Sequence, residues 1–239
     1  PRDILSSNAS FEVRKKNQNE TLPFASAENL SKTIDLIFSS SKPIIIAGGG
    51  IKNTNGYQEV INLAKILNIP IVSSAGHGDV IPFDESLYAG QMGPRGNPVA
   101  SNLVKKADVI LALGTRLGFN STFFSYENIN KQASIIQVEI EPSALGRYFP
   151  IAIGICADAK TVAQQLHNQI SSKKEINKIE KWTQHFIKER KNYLRIRDEE
   201  AEIAKTPILP SGLFKTLRDV LPKSSAITFS ISSELSFRS

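Results

Sequence analysis

PIIIAGGG, residues 43–50, is the stretch on which the fold of this chain turns. Ile44, Ile45 and Ile46 form an unbroken β-branched run, which reads as a strand buried on both faces, as in a parallel sheet. Gly48, Gly49 and Gly50 follow. Without a Cβ they let the backbone turn sharply and let another molecule come close. A helical pattern comes next, over about residues 55–67, with Ile61, Ala64 and Leu67 at three- to four-residue spacing. Strand, glycine turn and helix form the anion site of open α/β sheets, where free N–H groups at a helix N-terminus meet a phosphate. As a dinucleotide fingerprint the pattern is incomplete. Asn53 stands where the third glycine belongs, and the next strand, about residues 69–73, runs into Ser73-Ser74 rather than an acid. A tight turn with no ligand is the competing reading.

The same alternation extends outward in both directions. Upstream, Ser26 caps a helix over residues 27–39, with Ala27, Leu30, Ile34 and Ile37 on one face. Residues 1–25 are polar, with Asn8, Asn17, Asn19 and Pro23, and read as a linker. Downstream, residues 75–97 form a long irregular segment with five glycines (Gly76, Gly78, Gly90, Gly93 and Gly96), two prolines and His77. Such a segment inside a compact domain is usually functional or an interface. Asn97-Pro98 then opens a helix with Val99, Leu103 and Val104 inward. A strand over 109–113 ends in Gly114-Thr115-Arg116, where a guanidinium is placed for a carboxylate, a phosphate or an internal salt bridge. A strand over 135–139 leads to Glu139 and Glu141, whose alternation puts both on one side, suited to ribose hydroxyls or simply solvated. A strand over 151–155 follows, and Asp158 caps a helix with Val162, Ala163, Leu166 and Ile170 inward. Residues 43–170 therefore predict an α/β fold with a doubly wound parallel sheet. Residues 48–50, 73–78, 114–116 and 139–141 all fall beyond the strands' carboxyl ends, where such sheets bind ligands.

The chain has 239 residues, 41% hydrophobic and 22% charged, with a net charge of +6, ordinary for a soluble globular protein. The charges concentrate in residues 173–205, where both signs mix on a predicted long helix carrying Ile176, Ile179, Trp182, Phe186 and Tyr193. Mixed signs mean a solvated face, so nucleic acid is not the expected partner. No apolar run is long enough for a membrane and no signal peptide is visible. The single cysteine, Cys156, reads as a buried strand residue and excludes an internal disulfide, which fits a reducing cytoplasm. Residues 206–210, TPILP, break the long helix. A helix over 211–221 and a strand over 226–230 follow, as a helical C-terminal extension that opens a second α/β unit. His77 reads as a loop histidine with a structural hydrogen bond, and His167 and His185 as surface residues. No metal-ligand spacing is present.

Taken together, these segments resemble the Rossmann-like central domain of thiamine diphosphate-dependent enzymes of the acetolactate synthase type. The resemblance is carried by KPIIIAGGG (42–50), LNIPIVSSAGHGDVIPFDE (67–85), YAGQMGPRGNP (88–98), ADVILALGTRLG (107–118), IIQVEIEP (135–142) and ADAK (157–160), in family order and spacing. It implies a central domain over 26–172, a helical linker over 173–205 and the start of a diphosphate-binding domain over 206–239. PRDIL, residues 1–5, looks like the end of the family's upstream pyrimidine-binding domain. In the family, the cofactor attacks a 2-keto acid, carbon dioxide leaves, and the remaining carbanion passes to an acceptor. The activating glutamate belongs to the upstream domain. Mg²⁺ and the diphosphate are held downstream by a Gly-Asp-Gly motif and paired asparagines, and this sequence contains neither feature. The resemblance implies a fragment that is inactive alone, with the flanking domains and a second copy as partners. The family's central domain holds FAD, ADP or nothing. By position, its nucleotide-contacting segments fall on Gly48 and Gly49, on Ser74, Ala75 and Gly76, on Gly90, Gln91, Met92 and Gly93, on Gly114, Thr115 and Arg116, on Glu139 and Glu141, and on Asp158. Two departures count against FAD: Gly90-Gln91-Met92-Gly93 replaces a Gly-Met-His-Gly loop, and Leu117-Gly118-Phe119-Asn120 replaces acidic residues. A stand-alone nucleotide-binding module and a spacer domain with an empty cleft are the alternative readings.

Overall fold

The computed structural model describes Ser10, residues 22–171, 179–202 and 208–222, and Ser225. PRDIL, Ile176 and the strand expected over 226–230 lie outside the described residues. The elements in chain order are α1 (Ala27–Ser39), β1 (Pro43–Ala47), α2 (Gly49–Asn53), α3 (Tyr57–Leu67), β2 (Ile71–Ser73), β3 (Tyr88–Gln91), α4 (Pro98–Lys106) and β4 (Val109–Leu113). They continue with α5 (Phe119–Thr122), β5 (Ser134–Glu139), a 3₁₀ turn (Pro142–Ala144), β6 (Ile153–Cys156), α6 (Ala159–Ile170), α7 (Glu180–Ala201) and α8 (Pro210–Val220).

The six strands make one sheet in the order β3-β2-β1-β4-β5-β6, and every pairing is parallel. This is the doubly wound α/β fold expected from the alternation. The isoleucine run lies at its centre: Ile45 pairs with Ile71 on one side and Leu111 on the other. Ile44, Ile45 and Ile46 are all fully buried. A strand flanked by strands and covered on both faces needs no polar side, and each such side chain contributes about 1.5–3 kcal/mol. At the strands' amino ends the Asp108 carboxylate accepts from the amides of Ser41 (2.8 Å) and Lys42 (2.9 Å), which aligns the entries of β1 and β4.

The helices follow their caps. The Ser26 hydroxyl accepts from Asn29 N at the start of α1, and Asn97 Oδ1 accepts from Val99 N ahead of Pro98 in α4. α3 and α1 pack on α6, and α4 packs on β3 and α7. Residues 22–25 are tied to α6: Asp158 N donates to Pro23 O (2.9 Å), and Gln165 bonds both backbone groups of Ala25. α7 joins the same core through Ile179, Trp182 and Phe186, while the Trp182 indole N–H donates to Pro43 O (3.0 Å). The described part of the charged segment is thus anchored at its N-terminal half. Among the described residues no helix is long and apolar enough to cross a membrane.

Three local expectations differ from the structure. The segment 75–97 is not irregular throughout, because residues 88–91 form β3. They lack a β-branched residue, and Gly90 sits at φ +107, which hides the strand from periodicity. The helix after the glycine turn is split into α2 and α3 around Asn55 (φ +52) and Gly56. Cys156 is exposed, because β6 is an edge strand whose side chains alternate between the core and solvent.

Candidate functional site

The strand order reverses between β1 and β4, and an open cleft of about 520 Å³ lies beyond their carboxyl ends. This is where open α/β sheets place ligands, and the volume falls within the usual range of about 300–1,000 Å³. The glycine turn forms one wall but is not the phosphate cradle the pattern suggested. Gly48 N donates to Leu113 O (3.0 Å) and Gly50 N to Gly114 O (2.9 Å), so both amides join the turn to the end of β4. A Cβ on Gly48 would lie 2.4 Å from Gly114 O, and one on Gly50 would lie 2.7 Å from Gly114 Cα. These glycines serve a close crossing of two backbones. α2, a single turn of five residues, supplies no row of free amides.

The loop after β2 forms the next wall. Ser74 and Ala75 line the cleft, and Ala75 N donates to Ser121 Oγ (3.0 Å). Gly76, at φ +84, donates from its amide to Gln91 Oε1 (3.1 Å). Gln91 therefore props this loop from behind. Met92 is buried and its amide donates to Ser73 O (2.8 Å). Gly90 (φ +107) leaves room for Asn97, and Gly93 (φ +117) for the backbone of Asn120. Gly90, Gln91, Met92 and Gly93 thus stand behind the cleft wall, not on it.

The third wall is Gly114-Thr115-Arg116. Gly114 takes φ +62, Thr115 is buried, and Gln137 Nε2 donates to Thr115 O (3.1 Å). Arg116 is exposed and makes no hydrogen bond or salt bridge among the described residues, though its charge is felt at Glu141. The buried carboxylate of Glu139 lines the cleft and accepts from Ile140 N (3.0 Å). Glu141, two residues past the end of β5, is not among the residues that line the cleft. Glu141 caps the 3₁₀ turn instead. Hydrogen bonds from the Ser143 hydroxyl and amide hold its carboxyl below the usual range, and the charge of Arg116 adds to the effect. Asp158 lies outside the cleft lining. Its Oδ1 accepts from both Thr161 N and Thr161 Oγ1 at 2.8 Å, as the cap of α6.

His77 lines the cleft with its ring over Gly49: a Cβ there would meet Cε1 at 2.8 Å. Its imidazole has no hydrogen-bond partner among the described residues, contrary to the structural bond expected for it. Beside it, a bond from Lys52 lowers the Asp79 carboxyl pKa, against the opposing effect of burial, with His77 assisting weakly. Asn53, Gly118, Phe119, Asn120, Ser121 and Ile140 also line the cleft and were not foreseen as site residues. The signal for Phe119 and its neighbours was present only as the departure at 117–120, since residues brought in by a turn carry no periodicity. Among the described residues no group of three or more His, Cys, Asp and Glu is placed to hold a metal ion.

A parallel doubly wound sheet with an open cleft at its switch point defines a Rossmann-like α/β domain. The model of the thiamine pyrophosphate enzyme central domain matches residues 30–166, and the chain belongs to that family. It is 38% identical over 144 residues to a probable sulfoacetaldehyde acetyltransferase of Rhizobium meliloti, covering 59% of this chain and 24% of that protein. It is 34% identical over 173 residues to a sulfoacetaldehyde acetyltransferase of Roseovarius nubinhibens, covering 72% of this chain and 28% of that protein. A probable acetolactate synthase large subunit of Methanocaldococcus jannaschii is 29% identical over 196 residues, covering 80% and 32%. The chain spans about a quarter to a third of the length of these curated relatives.

Proposed function

We propose that this chain is the central domain of a thiamine diphosphate-dependent carboligase or acyl transferase, and that its cleft holds ADP or FAD. The observation that carries the nucleotide reading is the exposed guanidinium of Arg116, without a hydrogen bond or salt bridge among the described residues, lining the same cleft as the buried Glu139 carboxylate at the sheet's switch point. A guanidinium whose donors are not committed to internal hydrogen bonds is available to phosphate, and a carboxylate at a strand end can accept from ribose hydroxyls. The residues present fit a nucleotide of ADP size. Among the described residues the cleft carries no metal-ligand cluster, and the chemistry this reading gives the chain is binding and positioning. The cofactor, when bound by the parent, supplies decarboxylation and transfer of the remaining unit.

The parent's substrate follows from its relatives. A 2-keto acid is the expected donor, and sulfoacetaldehyde joins it as a candidate through the names of the similar acetyltransferases. Flanking catalytic domains and a second copy of the chain complete the proposed enzyme. A spacer domain is the second reading, and the commitment of the Gly48 and Gly50 amides to β4 favours it.

Calorimetric titration of the chain with ADP and with FAD, in the native sequence and in Arg116→Ala, tests the reading. Micromolar binding of either, weakened at least tenfold in the variant, supports a nucleotide domain. Absence of heat with both ligands rejects it in favour of the spacer.

A further inference from the structure

The lip of the cleft carries rings that the family assignment does not explain. Phe119 lines the cleft and is 55% exposed. Phe123 stacks on it at 4.8 Å between centroids and 21° between planes, and Phe124 abuts it at 5.6 Å. Phe124 in turn stacks on Tyr148 at 4.4 Å, with the Arg147 guanidinium 5.5 Å from that ring. Four contiguous exposed rings beside a cleft are costly to leave in water, and such patches mark binding sites.

The rings are held in place by the chain itself. Leu117, Phe123 and Phe124 take positive φ, which few non-glycine residues adopt. The buried hydroxyl of Thr122 donates to Leu117 O (3.0 Å) and lies within reach of Gly118 O (3.1 Å), and it accepts from Phe124 N (3.1 Å). Asn128 Nδ2 donates to Thr122 O (3.1 Å). Thr122 therefore locks the turn that faces the rings outward, so a ligand meets a platform already ordered and loses little entropy to it.

We propose that Phe119, backed by Phe123, is a stacking platform for the planar ring of the ligand whose phosphates meet Arg116. This rests on the nucleotide reading of the cleft and adds to it the selectivity for a flat heteroaromatic ring over a bare phosphate compound. A flat ring fits because stacking on an aromatic side chain tolerates any base, while its polar edge stays in contact with water.

Titration of the full chain with ADP and with inorganic pyrophosphate, in the native sequence and in Phe119→Ala, Phe119→Leu and Phe119→Tyr, tests it. Phe119 is exposed, so these variants keep the fold, checked by circular dichroism. The expected result is a preference of at least tenfold for ADP over pyrophosphate. Phe119→Ala and Phe119→Leu weaken ADP by about tenfold, or about 1.4 kcal/mol, and Phe119→Tyr retains it. Unchanged ADP affinity in Phe119→Ala, with the Arg116→Ala loss intact, overturns the platform and leaves the nucleotide site standing. Full affinity in Phe119→Leu overturns stacking in favour of plain apolar cover. Pyrophosphate bound as tightly as ADP overturns the ring selectivity. Absence of ADP binding to the native chain removes both the nucleotide reading and the platform.

Discussion

Gly48 carries the closest approach at the site. Its backbone is extended (φ −117), so its glycine character answers to space alone: a Cβ would meet Gly114 O at 2.4 Å and Thr115 Cβ at 2.5 Å. Both neighbours are tied into β4, and neither can move as a flexible side chain could. Gly48→Ala is expected to cost about 1–3 kcal/mol as an overpacking change, read as a lower urea midpoint at unchanged slope. Asp158 separates a cap from a ligand contact. Asp158→Ala is expected to lose about 1 kcal/mol of stability through α6 while ADP affinity stays the same. A tenfold loss of affinity in that variant would return Asp158 to the nucleotide site.

α7 shows how an element with a weak amphipathic pattern is held. Most of its surface is charged, yet Phe186 is fully buried and Trp182 reaches the backbone of β1. Phe186→Ala is expected to cost about 3–5 kcal/mol. Trp182 is the chain's single tryptophan, so undocking of α7 would appear as a red shift of its emission. An unshifted spectrum with unchanged stability would show that the charged helix does not depend on this anchor. α8 is attached differently, through Arg218 to Asp198 at 3.3 Å. Burial pushes the Asp198 carboxyl up, but hydrogen bonds and charge from Arg218 and Arg197 together outweigh it and hold the carboxyl below the usual aspartate range. A depressed carboxylate stabilises above its unfolded value and loses that contribution as pH falls through the folded one. Backbone amides of α8 are therefore expected to lose hydrogen-exchange protection as the pH falls below the ordinary aspartate range. The effect is small, since exposed pairs contribute about 0–1 kcal/mol, and it is absent in Arg218→Ala.

At the scale of the whole molecule, the cleft and the chemistry of the family are separable. The proposed reading has this chain positioning a nucleotide and performing no bond-making of its own. The purified chain supplied with thiamine diphosphate, Mg²⁺ and a 2-keto acid is expected to release no carbon dioxide above background. Turnover by the chain would sink that assignment. The exposed aromatic surface beside the cleft belongs to this scale as well, since its rings come from both the 117–124 turn and the segment after β5.

Apart from β3 and the split between α2 and α3, the order of strands and helices was legible in the residues, because a short β-branched run such as Ile44–Ile46 suits a strand buried on both faces. Helix caps were legible for the same local reason: Ser26, Asn97 and Asp158 each bond an amide two or three residues ahead. The motifs also located the cleft, since residues beyond parallel strand ends must converge. Tertiary structure alone decided which of those residues face it. Gly48 and Gly50 were spent on a backbone crossing, Gln91 and Met92 on supporting a loop, and Asp158 on a cap, all through partners far away in sequence or through competing local bonds. Phe119 reached the cleft lip because Thr122 locks a turn with positive φ, a geometry that no hydrophobic period encodes.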